Sequence, residues 1–180
     1  MTVINLLDGK IRIGESFVSL GPNAAHTNVM LGSNEALGAI WASILGSPRA
    51  GHAPFMAVLE PNRPIVPPTV IVNKAAVVND FHGNLLWGAV QAGVARGATR
   101  AIADGLLSRE EAEESVLVCA VWVNPAADDE RLIFERNDEA VYQALERAIK
   151  GLHRAHENVS AIDGIHNPFF DPRGTAEGEA

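Results

Sequence analysis

Apolar and polar residues alternate with the period of a β-strand in two segments near the N-terminus. The segments are residues 15–20 and 25–31, and the Gly-Pro-Asn sequence between them has turn chemistry, so the pattern predicts a hairpin. Successive strand side chains point to opposite faces, so three residues of the second strand share one face: His26, Asn28 and Met30. An imidazole and an amide therefore lie side by side.

Three further apolar runs predict strands, and an opening hairpin is expected at the start of the chain. The runs are residues 55–59, 69–74 and 115–123, and the opening hairpin is residues 3–7 and 10–13 around Asp8-Gly9. The run 115–123 is almost continuously apolar, which predicts a central strand covered on at least one side. Residues 60–68 contain four prolines, which predict a stiff extended loop outside any regular ladder, suited to a site wall or a subunit contact.

Apolar residues at helical spacing predict three main helices, over residues 34–45, 81–103 and 138–150. Ser33 is expected to cap the first helix, Asp80 to start the second, and Ser108 to cap a short polar helical turn. The second helix carries Gly93 and Gly97 at a spacing of four residues. Small residues lower helix propensity, so they predict a helix pressed closely against another element.

The composition is typical of a single globular domain. The chain has 180 residues, of which 47% are hydrophobic and 20% charged, enough for one core. Its 14 basic and 22 acidic residues give a formal net charge of −8 without a basic cluster, which argues against partners such as nucleic acids and anionic membranes. We expect one domain over residues 1–152 and a C-terminal extension over 153–180 whose end is disordered.

Cysteine usage and the N-terminus indicate a soluble cytoplasmic protein. Cys119 is the single cysteine, which excludes an intramolecular disulfide, fits a reducing compartment and is expected to be buried. The N-terminus lacks a basic segment and its apolar run is interrupted by Asp8, so we expect no signal peptide. No apolar stretch reaches the length of a membrane span.

Generic cofactor and metal motifs do not explain the sequence. The glycines at 83, 88, 93 and 97 lie inside a predicted helix, which excludes a phosphate-binding loop between strand and helix. His153 and His156 are three residues apart without a third ligand nearby, so we expect them to interact with a helix end and expect no metal site.

Five segments, in order along the chain, carry a more specific signal. They are Gly14-Glu15 with Asn23-Ala-Ala-His26 and Gly32; Ala57-Val-Leu-Glu-Pro61-Asn62 with Pro64, Thr69 and Asn73-Lys74; Gly88-Ala-Val-Gln91-Ala-Gly93-Val-Ala95; Ala126-Ala-Asp128-Asp129; and Asn167-Pro168-Phe169. Together they resemble the formaldehyde-activating enzyme family, from Gly14 to about Phe169. The resemblance implies an α/β fold, an α+β two-layer sandwich like ribosomal protein S5 domain 2, with a mixed sheet packed against helices.

The same resemblance implies a cytoplasmic lyase of one-carbon metabolism that forms a homopentameric ring. It would condense formaldehyde with tetrahydromethanopterin, a co-substrate bound between neighbouring subunits, and release methylene-tetrahydromethanopterin and water. The pterin amine and formaldehyde form a carbinolamine, which loses hydroxide at neutral pH only if it is protonated. Histidine, with an ordinary pKa of about 6.5, suits that task, so by resemblance His26 is the general acid. From the residues alone, His26 also fits a strand histidine satisfied by hydrogen bonds.

By resemblance, five further positions contact the pterin: Asn28, Met56, Lys74, Ala76 and Gln91. Without a ligand, Lys74 is equally a strand-end charge and Gln91 a polar helix residue. Two positions depart from the family pattern, since Asn28 replaces an aspartate and Ala76 a threonine. Two hypotheses follow: an enzyme acting on formaldehyde or a related aldehyde with a reduced pterin, or a paralogue that binds a pterin or folate-like ligand, or senses an aldehyde, without efficient turnover.

Overall fold

The computed structural model describes residues 11–151 and 155–172. Most of the predicted opening hairpin, His153 and the last eight residues of the predicted tail lie outside these ranges. The strands are β1 Ile11–Val18, β2 Ala25–Ser33, β3 Phe55–Met56, β4 Val58–Glu60, β5 Arg63–Pro64, β6 Thr69–Asn73 and β7 Ser115–Trp122. The α-helices are α1 Asn34–Leu45, α2 Asp80–Leu85, α3 Gln91–Ala103, α4 Arg109–Glu114, α5 Glu130–Lys150 and α6 Ala155–Ser160.

Five strands form one mixed sheet in the order β1-β2-β7-β6-β3. Strand β7 is parallel to β6 and antiparallel to β2, and the outer pairs β1-β2 and β3-β6 are antiparallel. β7 is thus central, as its apolar run predicted. The sheet packs against helices, so the predicted α+β class is confirmed. None of the helices in the described ranges combines the length and apolar character needed to cross a membrane.

The two faces of the sheet follow the alternation predicted for β2. Thr27, Val29 and Leu31 are buried on one face, while His26 and Asn28 on the other are half-buried. The main core lies between the first face and the layer formed by α2, α3 and α5, and it includes the buried thiol of Cys119. On the second face, α1 covers one end of the sheet through a smaller apolar cluster. The other end of this face is left for the candidate site.

The small residues of α3 bring its backbone close to α5, as predicted. A Cβ atom at Gly93 would lie 2.6 Å from the carbonyl oxygen of Phe134, and one at Gly97 would lie 2.5 Å from that of Asp138. Both distances are far below a van der Waals contact with backbone. The two helices therefore require glycine at these positions.

Gly97→Ala is expected to destabilise the fold by about 2 kcal/mol or more, because the new methyl group overlaps the α5 backbone. Urea unfolding followed by circular dichroism measures this effect. The matched control is Gly88→Ala, since a Cβ atom at Gly88 would have no atom within 4 Å apart from the adjacent backbone of its own helix. The control should leave stability unchanged or raise it slightly, because alanine favours helix. Equal stability of Gly97→Ala and wild type would contradict the close α3-α5 contact.

Several predicted boundaries were wrong for identifiable reasons. β1 is one continuous strand where two segments, 10–13 and 15–20, were predicted; Gly14 belongs to the strand, and a Cβ there would overlap the Ala144 carbonyl of α5. The run 55–59 divides into two strands at Ala57, whose N–H donates to the Thr69 carbonyl. The proline-rich segment does form a two-residue ladder, in which β5 pairs with β4.

Helix boundaries also differ from the predictions. After the loop at residues 124–130 the sequence predicts helical segments, the last from about residue 138, whereas α5 is one continuous helix from Glu130. Its start is capped by the Asp129 side chain, which accepts a hydrogen bond from Leu132 N. The Asn79 side chain caps α2 through His82 N, so the cap precedes Asp80. A π-helical turn, Leu86–Val90, joins α2 to α3. The Ser33 and Ser108 caps are confirmed.

Candidate active site

The free end of the second sheet face carries an aromatic and polar cluster set by strand register. Phe17, His26 and Trp122 lie opposite one another on β1, β2 and β7. One step along the sheet, Glu15 lies opposite Asn28. Residues that pair in register point to the same face, so these five side chains share one surface.

His26 and Glu15 form an ion pair across the hairpin when the imidazole is protonated. His26 Nε2 and Glu15 Oε1 are 3.0 Å apart. The imidazole is 25% exposed, and the Glu15 side chain is 53% exposed. The imidazole is therefore reachable from solvent and held in place by a carboxylate.

Lys74 reaches the same surface from the end of β6. Its backbone N–H donates to the Val121 carbonyl at 2.7 Å, which extends the ladder with β7 by one residue. Its ammonium Nζ donates to Asn28 Oδ1 at 2.8 Å. Partial burial lowers the pKa of Lys74 to about 8, although the Glu15 carboxylate acts in the opposite direction.

The pKa of His26 lies below its ordinary value. Burial is the largest cause, and the positive charge of Lys74 adds to it. The Glu15 carboxylate opposes both through its charge and its hydrogen bond. At neutral pH the imidazole is mainly neutral, and its protonated form is a stronger acid than free histidine.

Aromatic rings border His26 and connect it to the C-terminal segment. The Phe17 ring centroid lies 5.8 Å from that of the imidazole. Phe169 contacts Phe17 and Trp122 edge to face, with centroids 6.0 and 5.4 Å apart. Reciprocal backbone hydrogen bonds between Asn167 and Phe170 hold the turn that carries Phe169. The surface thus offers flat apolar walls beside an acid and an amine.

Of the other predicted site residues, two lie near the His26 surface or on its face of the sheet, and one lies on the opposite side. Ala76 is exposed two residues beyond Lys74. Met56 lies on the edge strand β3 opposite Val70, on the same face as His26. Gln91 begins α3, which packs on the opposite face of the sheet, so one chain does not bring Gln91 to His26.

Gln91 instead lines a largely apolar groove of about 470 Å³ between α3 and β4. Leu59, Arg96 and Arg100 also line this groove, and Leu59 is 48% exposed. The groove is separate from the His26 surface.

Sequence reasoning missed the role of Glu15. The resemblance implies an aspartate where this chain has Asn28, and Glu15 supplies a carboxylate to the imidazole from the neighbouring strand instead. The signal was present in the hairpin: pairing outward from the Gly-Pro-Asn turn brings Glu15 opposite Asn28. In residues 11–151 and 155–172, no group of three His, Cys, Asp or Glu side chains is arranged to hold a metal ion.

Glu15→Gln is expected to lower the pKa of His26 further, because the carboxylate that raises it is removed. If protonated His26 is the acid, the pH above which activity falls moves down by the same amount. NMR titration of the imidazole and a pH profile of turnover measure the two shifts. Glu60→Gln, an exposed change on β4, is the control and should shift neither. Equal His26 midpoints in Glu15→Gln and wild type would contradict the ion pair.

Comparison with known proteins connects this surface to a family. The profile of the formaldehyde-activating enzyme family matches residues 13–170. The chain is 34% identical over 170 residues to a 5,6,7,8-tetrahydromethanopterin hydro-lyase of Methanosarcina barkeri, covering 93% of this chain and 96% of that protein. It is 33% identical over 161 residues to a bifunctional enzyme Fae/Hps of Archaeoglobus fulgidus, covering 89% of this chain.

A second bifunctional enzyme Fae/Hps, from Methanococcoides burtonii, is 34% identical over 140 residues, covering 77% of this chain. The chain spans only 41% and 35% of these two bifunctional relatives. Both the family match and the Methanosarcina relative extend over the strands and helices described above. The chain therefore belongs to the formaldehyde-activating enzyme family.

Proposed function

We propose that this chain condenses formaldehyde with tetrahydromethanopterin, giving methylene-tetrahydromethanopterin and water, with His26 as the proton donor. The observation that carries the proposal is the 3.0 Å contact between His26 Nε2 and Glu15 Oε1 on an accessible, aromatic-lined face. The name of the Methanosarcina relative indicates tetrahydromethanopterin as the co-substrate, and the name of the family indicates formaldehyde as the aldehyde.

The residues suit the difficult step of this condensation. A pterin amine adds to formaldehyde to give a carbinolamine, and breaking its C–O bond requires a proton on the leaving hydroxyl group. Protonated His26 donates that proton, and the Glu15 carboxylate stabilises the imidazolium beforehand. The Phe17 ring packs beside the imidazole, which is only 25% exposed, so less water surrounds it and both interactions are strengthened.

The replacement of the family aspartate by Asn28 is compatible with catalysis. His26 obtains its carboxylate from Glu15, and Asn28 accepts a hydrogen bond from Lys74. The pair Asn28 and Lys74 then borders the pterin, as the resemblance implies, with Met56 and Ala76 at the edges.

We further propose that the site is completed between subunits of a homopentamer. Gln91 and His26 lie on opposite faces of the sheet, so a single chain cannot present both to one small ligand. A neighbouring subunit that docks its α3-β4 groove beside the His26 surface would supply Gln91. The exposed, apolar Leu59 of this groove suits such a contact.

We also propose that the protein is cytoplasmic and that its reaction needs no metal ion. Cys119 fits a reducing compartment. His26 supplies the proton without a Lewis acid.

A second candidate function is binding of a pterin or folate-like ligand, or sensing of an aldehyde, without efficient turnover. Ala76 in place of the family threonine and the lowered pKa of His26 favour this candidate. Ligand-stripped protein mixed with tetrahydromethanopterin and formaldehyde distinguishes the two. Methylene-pterin formation faster than the spontaneous reaction supports the enzyme, whereas tight pterin binding without acceleration supports the binder.

A further inference from the structure

Lys74 occupies an unusual setting for a lysine beside an aldehyde site. Its Nζ donates to the neutral amide oxygen of Asn28 at 2.8 Å, and the side chain is partly buried. The titratable groups that influence it are Glu15 and His26. The family pattern would place an aspartate at position 28, which would keep the ammonium charged.

We propose that Lys74 captures formaldehyde covalently and passes the one-carbon unit to the pterin. This step rests on the proposed function and deepens it, since it assigns a nucleophile to the same site. Neutral amines condense readily with formaldehyde, and Lys74 shares its face with the acid His26.

The capture step is balanced in atoms and protons. The lone pair of neutral Nζ attacks the formaldehyde carbon, the C=O pair moves to oxygen, and one Nζ proton follows it, giving a carbinolamine on Lys74. Protonated His26 donates a proton to the hydroxyl group, the C–O bond breaks, and water leaves a lysine iminium ion.

The transfer step returns both residues to their starting states. One pterin amine attacks the iminium carbon, and the second displaces Nζ as the bond between carbon and lysine breaks. The two pterin N–H protons restore Lys74 and His26. One formaldehyde is consumed and one water released, as in the uncatalysed condensation.

The Lys74 amine must be neutral to attack formaldehyde, and its surroundings favour the neutral form. With a pKa of about 8, roughly one Lys74 in ten is neutral at pH 7, against one in a few thousand for an ordinary lysine. Asn28 helps to keep Lys74 neutral, because its amide oxygen accepts a hydrogen bond without adding negative charge. The departure at position 28 thus favours a nucleophilic lysine.

The chain offers a direct test because it has only three lysines: Lys10, Lys74 and Lys150. The folded protein is treated at pH 7 with limiting formaldehyde and cyanoborohydride, without pterin, and methylated lysines are located by peptide mapping. We expect Lys74 to be methylated at least about tenfold faster than Lys150, an exposed lysine on α5. Equal or slower labelling of Lys74 would overturn the inference.

Asn28→Asp is the matched variant, because a carboxylate beside Nζ stabilises the ammonium. We expect Lys74 labelling to fall about tenfold or more, while Lys150 labelling stays constant as an internal control. Unchanged labelling of Lys74 would contradict the role of Asn28 and the inference with it. If the variant does not fold, the wild-type pH dependence decides: labelling of Lys74 should level off above about pH 8, and a continued rise parallel to that of Lys150 would overturn the inference.

The labelling of Lys74 and the assay of methylene-pterin formation test different claims, so one can give a negative result without the other. Accelerated methylene-pterin formation without preferential Lys74 labelling would remove only the covalent step. Preferential labelling without acceleration would support capture of the aldehyde and remove the proposed turnover.

Discussion

Replacing His26 with alanine is expected to lower turnover by about 100-fold or more, because general acid catalysis contributes about that much to a proton-dependent step. Pterin affinity and folding should stay close to wild type, since proton donation acts on the transition state and the side chain is only partly buried. Steady-state kinetics of methylene-pterin formation, pterin binding by calorimetry and urea unfolding measure the three quantities.

His156→Ala is the matched control, since His156 is an exposed histidine on α6. It should change none of the three quantities. Unchanged turnover in His26→Ala would return His26 to the alternative interpretation, a strand histidine satisfied by its hydrogen bond to Glu15.

Mixing two impaired variants is expected to restore activity if the site is shared between subunits. His26→Ala lacks the acid, and Gln91→Ala lacks the contact that the neighbouring subunit would provide. When equal amounts are unfolded and refolded together, about a quarter of the sites in a ring combine an intact His26 with an intact Gln91. Activity should therefore rise to about a quarter of the wild-type value.

Each variant refolded alone is the control and should remain impaired. Light scattering should give a mass of five times the 19.1 kDa chain for the variants and the mixture. A monomer at micromolar concentration, or a mixture no more active than the average of its parts, would contradict a site completed between subunits.

The face of β2 and the close packing of α3 could be predicted from the sequence because both depend on local periodicity. Alternation alone placed His26 with Asn28, and the glycine spacing alone indicated a close helix contact. The continuity of α5 from Glu130 to Lys150 could not be predicted in the same way. The first half of that helix buries polar side chains. The Asn137 side chain donates a hydrogen bond to the Ile133 carbonyl, and the Asp138 carboxylate accepts one from Arg100. Apolar periodicity does not detect such contacts.

The candidate site was predicted only in part because it depends on pairing between distant segments. Resemblance to the family indicated His26 and Lys74, and the structure brings both to one surface. Glu15 required the hairpin register, and Phe169 approaches from a segment more than 140 residues away in sequence. Gln91 lies on the other face of the sheet, a separation that no local pattern encodes.

The rate of methylene-tetrahydromethanopterin formation at neutral pH is the most direct test of the central claim. Ligand-stripped protein is mixed rapidly with tetrahydromethanopterin and formaldehyde, and the rate is compared with that of the spontaneous reaction and of heat-denatured protein. The account predicts an acceleration that saturates with pterin and is lost in His26→Ala. A wild-type rate equal to the spontaneous rate, with pterin bound, would contradict it.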